Sequence, residues 1–175
     1  PHYLPDGRIL FSSTRQRQTG AVLVDEGKPQ YAGLDEDRRE PAFVLHVMDA
    51  DGGNIHQVSF NQSHDLDPTV LSSGEVAFTR WDNAGSVGEM SLYRMNPDGT
   101  GLQLLYGANS HATGTGGATV QFLQPREMAD GRLLTILRPF SALSQGGNLV
   151  VIDTGQYVDN TQPLATDIGI LTGPA

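Results

Sequence analysis

The chain has 175 residues, enough for one domain with a substantial core, and its 11 Lys and Arg against 20 Asp and Glu give a formal net charge of -9. Such a surface repels phosphate backbones and argues against a nucleic-acid partner. The absence of Cys removes disulfides, thiolate metal sites, a cysteine nucleophile and covalent c-type haem attachment through Cys-x-x-Cys-His from this segment, and no apolar run approaches membrane-spanning length, nor is a signal peptide visible.

Along the chain, three segments share one pattern, a proline six residues ahead of a glycine that opens a short apolar strand: Pro1 to Gly7, Pro68 to Gly74 and Pro125 to Gly131. A second element follows each. Leu45-His46-Val47-Met48-Asp49-Ala50-Asp51-Gly52 matches Leu92-Tyr93-Arg94-Met95-Asn96-Pro97-Asp98-Gly99, and Leu149-Val150-Val151-Ile152-Asp153-Thr154-Gly155 is a weaker third copy. Gly52 to Gly74 spans 22 residues and Gly74 to Gly99 spans 25, so the undecorated period is 47. Extra residues fall within Gln16–Pro41 in the first unit and Gly107–Thr119 after the second. A repeat of this kind decides the architecture before any single residue does.

Each unit alternates apolar and polar residues and is broken by Asp-Gly or Ser-Gly, the chemistry of tight hairpin turns. No helical period is evident. The expected fold is all-β, a β-propeller of four-stranded antiparallel blades with strands a to d, of which about three to three and a half are present. The blades are placed at about 1–62, 63–119 and 120–160, with 161–175 a tail or the start of the next blade. A propeller must close to remove its exposed edges, so the chain is expected to be a partial ring, half of a six-bladed one, completed by more chain or by a partner.

In such blades the a–b and c–d turns lie at one end and the b–c and d–a connections at the other. Every tight Gly turn here belongs to the first set and both insertions to the second, which marks the second end as the one for binding. Ser63-His64 falls onto Ser110-His111 at the same offset of 47, so both histidines are expected at the channel mouth on that end. His64-Asp65-Leu66-Asp67-Pro68 adds two carboxylates to an imidazole within a few residues. Two readings stand side by side. In one, His64, Asp65 and His111 ligate a divalent metal or form an acid–base cluster with Asp67. In the other, Asp67 pins the backbone ahead of Pro68 and the histidines hydrogen-bond neighbouring blades.

Trp81, beside Arg80 and Asp82, and Arg126, beside Glu127, complete the candidate ligand-binding set, the first as packing or ligand contact and the second as a ligand contact or one half of an inter-blade ion pair. Asp49-Ala50-Asp51-Gly52-Gly53-Asn54 resembles the start of a calcium loop, but position twelve would be Phe60, so it reads as a turn. Gly114-Thr115-Gly116-Gly117 lacks the Lys of a phosphate loop, Asn61-Gln62-Ser63 is a formal glycosylation sequon, and Asp35–Glu40 reads as a solvated loop. No Gly-x-Ser-x-Gly occurs, and no catalytic residue is assigned.

The repeat carried by "LHVMDADGGN" and "LYRMNPDGTG" resembles that of TolB-like six-bladed propellers, which serve in periplasmic translocation and as gating domains of prolyl-oligopeptidase-type peptidases. The wording "SFNQSHDLDPTVLSSGEVAFTRWD", with "SHATG" and "QFLQPREMADGRLL", more closely resembles bacterial proteins related to the alpha subunit of hydrazine synthase. That resemblance implies an exported, periplasmic setting in which a propeller accompanies c-type haem domains. Any haem would have to belong to another segment or a partner, since this sequence departs from the family where the attachment motif would stand. The expectation is a binding or assembly module that contacts a protein partner or the remaining domains of its own polypeptide. The alternatives are the propeller of a periplasmic haem- or metal-dependent redox enzyme, and the gating propeller of a serine peptidase.

Overall fold

The computed structural model describes residues 1–17, 20–27, 32–113, 118–139 and 146–153. Among the described residues, eleven strands form three antiparallel sheets in sequence order. The first contains β1 (His2–Tyr3), β2 (Ile9–Ser13), β3 (Val44–Met48) and β4 (His56–Gln57). The second contains β5 (Asp65–Val70), β6 (Val76–Ala84), β7 (Val87–Met95) and β8 (Gln103–Tyr106). The third contains β9 (Val120–Glu127), β10 (Leu133–Pro139) and β11 (Asn148–Ile152). These are propeller blades, and among the described residues they form no closed ring. The fourth strand expected in the last unit and the tail 161–175 lie outside the described residues.

The repeated glycines have a conformational cause. Gly7, Gly74 and Gly131 hold φ of +88°, +86° and +85°, a region that side chains with a Cβ rarely enter. Each donates its N–H to the carbonyl three residues earlier, at Leu4, Leu71 and Met128, closing the same turn in every blade. Asp49 to Gly53 and Asn96 to Thr100 repeat that geometry between the third and fourth strands. The calcium-like run is thus a turn, with the Asp51 carboxylate accepting the Gly53 N–H at 2.8 Å.

The repeated prolines mark a bulge. Asp67-Pro68 together face Phe78, and Gln124-Pro125 together face Thr135, so one extra residue enters the innermost strand of the second and third blades. A proline fits there because the unpaired position needs no ladder N–H. The residue before it is left-handed in both cases, φ 50° at Asp67 and 52° at Gln124.

Two apolar clusters glue successive blades. Leu10, Leu45, Val47 and Val58 of the first blade meet Val76, Phe78 and Met95 of the second. Leu92 and Tyr106 of the second meet Val120, Phe122, Leu133 and Leu137 of the third. A hydrogen bond repeats with them: Ser12 Oγ donates to the Asp65 carbonyl and Thr79 Oγ1 to the Phe122 carbonyl, both at 3.3 Å.

The absence of helix needs one correction. The first insertion contains α1 (Gly20–Asp25), near β4, with His56 Nδ1 2.5 Å from Glu26 Oε1. Six residues are under two turns, too few to display a 3.6-residue period in sequence. Gln16 fastens this insertion: its buried amide donates to the Gly33 and Ala42 carbonyls at 3.1 and 2.8 Å and accepts the Gly33 N–H at 2.9 Å.

Candidate functional site

The segment from Asn61 to Asp67 leads from the first blade into β5, and its residues are positioned by the strands on either side. The Trp81 N–H donates to the His64 carbonyl at 2.9 Å, and the Asp65 N–H to the Phe43 carbonyl at 2.7 Å. The Phe43 N–H donates to His64 Nδ1 at 3.0 Å, so the neutral ring carries its proton on Nε2, which faces Glu36 Oε2 at 3.4 Å. The His64 ring stacks on Trp81, centroids 5.8 Å apart and planes 11° apart. Glu36 belongs to the first insertion, which therefore reaches the end of the blades that carries the β6–β7 hairpin, as expected from the connectivity.

Asp65 is fully buried and pairs with Arg80, Oδ1 to Nε at 2.8 Å and Oδ2 to Nη2 at 3.1 Å. Burial opposes the Arg80 charge, but the Asp65 carboxylate more than offsets this and holds the guanidinium above its ordinary pKa. Arg80 also donates to the Phe60 carbonyl at 2.8 Å and lies over the Tyr93 ring, whose hydroxyl donates to Asp82. Burial, and then the Asp82 charge, push that phenol up to about 12. Asn61, read as a sequon, directs its amide inward to the His64 and Trp81 carbonyls at 3.1 and 3.0 Å.

His111 stands at the same end of the second blade, in a single 3₁₀ turn, and is buried. Its Nδ1–H donates to the Val120 carbonyl at 2.5 Å and its Nε2 lies 3.0 Å from Ser91 Oγ, so it joins the end of the second blade to the start of the third. Among the described residues no group of three or more His, Cys, Asp or Glu is arranged to hold a metal. Of the trio His64, Asp65 and His111, Asp65 faces Arg80, and each histidine has its Nδ1 bonded to backbone. The histidines follow the reading in which they tie blades together.

Asp67 lies on the inner strand, where burial pushes its carboxyl above the ordinary range against the opposing influence of Arg126 and of a hydrogen bond from the Gln124 N–H. The residue ahead of one repeat proline thus grips its counterpart in the next blade. Arg126 donates to the Pro125 carbonyl and lines a cavity of about 330 Å³ with His2, Phe11 and Asp67. Glu127 reaches the second blade by accepting the Ser72 hydroxyl at 2.9 Å, a hydrogen bond and not the ion pair expected there.

A larger cleft of about 640 Å³ opens between the second and third blades on the other side of Asp67. His64, Trp81 and Asp67 line it, joined by Glu36 from the insertion and Asn83 from the β6–β7 hairpin. The third blade contributes Gln121, Leu123 and Arg138. Gln121 and Arg138 are direct partners in the β9–β10 register and so share one face of that sheet. Neither carried a signal in the sequence, because both are defined by a strand pairing that no local pattern announces. His111, Asp65 and Arg126 do not line this cleft.

No known family's sequence profile matches the chain, and no curated protein matches it. Among solved structures it is similar to Kuenenia stuttgartiensis hydrazine synthase, with a TM-score of 0.58 at 21% identity over 69% of this chain and 19% of that one. At that identity the likeness shows a related fold. The chain spans about a fifth of the length of that neighbour.

Proposed function

We propose that this chain is a TolB-like propeller module of a larger exported, periplasmic protein, and that it engages a ligand, a protein partner or the remaining domains of its own polypeptide through the end carrying the b–c and d–a connections. The carrying observation is the 640 Å³ cleft, which lies at that end and draws its walls from the first insertion and from two blades. Its volume is that of a small-molecule or side-chain pocket. The opposite end consists of tight turns with short polar side chains bonded to their own backbone.

The test is site-specific photo-crosslinking in the full-length protein. A benzophenone side chain at Glu36 or Ala84 samples the proposed end, and one at Asp51 or Asp98 samples the other. Adducts to another domain or a partner are expected from the first pair alone. Equal adducts from both pairs, or adducts from the second pair only, refute the reading.

The likeness to hydrazine synthase favours a second reading, in which the module belongs to a multidomain redox enzyme whose haem lies outside this segment. A haem absorption spectrum from the purified full-length protein distinguishes the two.

A further inference from the structure

The large cleft holds one buried amide that lacks a partner at one end. Its two acids have partners: Glu36 faces His64 Nε2, and Asp67 accepts the Gln124 N–H. Gln121 does not have both of its ends satisfied. Its side chain is 1% exposed, its Oε1 accepts the Met90 N–H, and its Nε2 has no hydrogen-bond partner. A buried amide left in this state costs free energy unless an acceptor is supplied, and Gln121 lines the cleft. Arg138 lines it directly across the β9–β10 pair, so a guanidinium and a carboxamide donor stand side by side on one wall. The apolar lining comes from Leu66, Trp81, Met90 and Leu123.

We propose that this cleft binds a small organic carboxylate with an apolar body, its oxygens received by Gln121 Nε2 and the Arg138 guanidinium and its body lying on the Trp81 side. A carboxylate matches the donors because a planar pair of oxygens can accept from a guanidinium and from a neighbouring N–H together. This deepens the binding role proposed above and rests on that end of the blades being the binding end.

Trp81 is the sole tryptophan of the sequence and lines the cleft, so entry of a ligand alters its fluorescence. The difference between the full-length protein and its Trp81→Phe variant isolates that signal. The probes are cyclohexanecarboxylate, its neutral amide and cyclohexylmethylammonium. The carboxylate is expected to bind more tightly than the other two, and Gln121→Leu or Arg138→Leu to weaken it roughly tenfold or more. Gln121→Glu keeps an acceptor for the Met90 N–H but replaces the donor by a second oxygen, and should reverse the preference towards the ammonium. Disrupted folding does not produce such a reversal. Binding of the ammonium to the unaltered protein as tightly as the carboxylate, no response to any probe, or unchanged carboxylate affinity in the Leu variants overturns the proposal. Failure here with photo-crosslinks intact removes only the carboxylate assignment, whereas carboxylate binding without crosslinks removes only the partner role.

Discussion

Removing one member of the Asp65–Arg80 pair should be among the most damaging single changes in the second blade. Asp65 is 0% exposed and the Arg80 side chain 8%, with two short contacts between them, so Asp65→Leu strands a guanidinium in a dry site. Truncating one partner of a buried pair costs about 3–5 kcal/mol. Replacing both, as Asp65→Leu with Arg80→Met, removes the stranded charge. What remains is the Phe60 carbonyl without its donor and Asn61 without one acceptor, about 1–3 kcal/mol. The double variant should therefore be more stable than Asp65→Leu alone by about 2 kcal/mol. Hydrogen exchange followed by mass spectrometry reads this in the full-length protein, because backbone amides in β5 and β6 report local opening. At 1.4 kcal/mol per decade, the single variant should speed their exchange roughly 150-fold to 4000-fold, up to the limit set by global unfolding. Less than about tenfold acceleration in Asp65→Leu, or a double variant no slower to exchange than the single, would refute the assignment of these costs to an uncompensated buried charge.

His46 is fully buried, and burial lowers its pKa to about 4. Because the folded value lies below the unfolded one near 6.5, the unfolded chain takes up the proton first, so stability is lost as pH falls from about 6.5 towards 4 and not further below. The drop should amount to about 3 kcal/mol, and His46→Phe, which keeps a ring against Phe11, should flatten that stretch of a plot of Tm against pH. Gly99→Ala should cost more than Gly52→Ala, although both glycines have φ near +87°, because the added Cβ at Gly99 meets the Val58 carbonyl of the preceding blade while that at Gly52 meets open space. Strain alone, about 1–2 kcal/mol, is expected at Gly52, and equal loss in urea denaturation of the two variants would contradict the close inter-blade approach. Thr79→Val should destabilise by about 1–3 kcal/mol by leaving the buried Phe122 carbonyl without its donor, which the same denaturation series measures.

The turns were legible in the sequence because a backbone with φ near +87° admits little but glycine, and five such turns, at Gly7, Gly52, Gly74, Gly99 and Gly131, then imply hairpins and blades. The prolines were legible as a mark but not as a mechanism, since a bulge exists only between two paired strands. Asp65 and Arg80 are 15 positions apart, and nothing local reveals that β5 and β6 set them opposite one another. The repeat showed that His64 and His111 occupy equivalent positions, yet their ring nitrogens are directed by backbone groups of Phe43 and Val120 that belong to other segments. Gln121 and Arg138 were invisible for a related reason, as residues of ordinary polar type made neighbours by register.

The left-handed position ahead of Pro68 and Pro125 separates what a duplicated unit must keep from what it can vary. Asp67 and Gln124 share a backbone shape but no charge. The distortion itself takes whatever residue stands there out of the ladder register. Successive copies of the unit can therefore carry different chemistry at one backbone position without altering the scaffold, so that variation enters at an inherited kink as well as in the inserted loops.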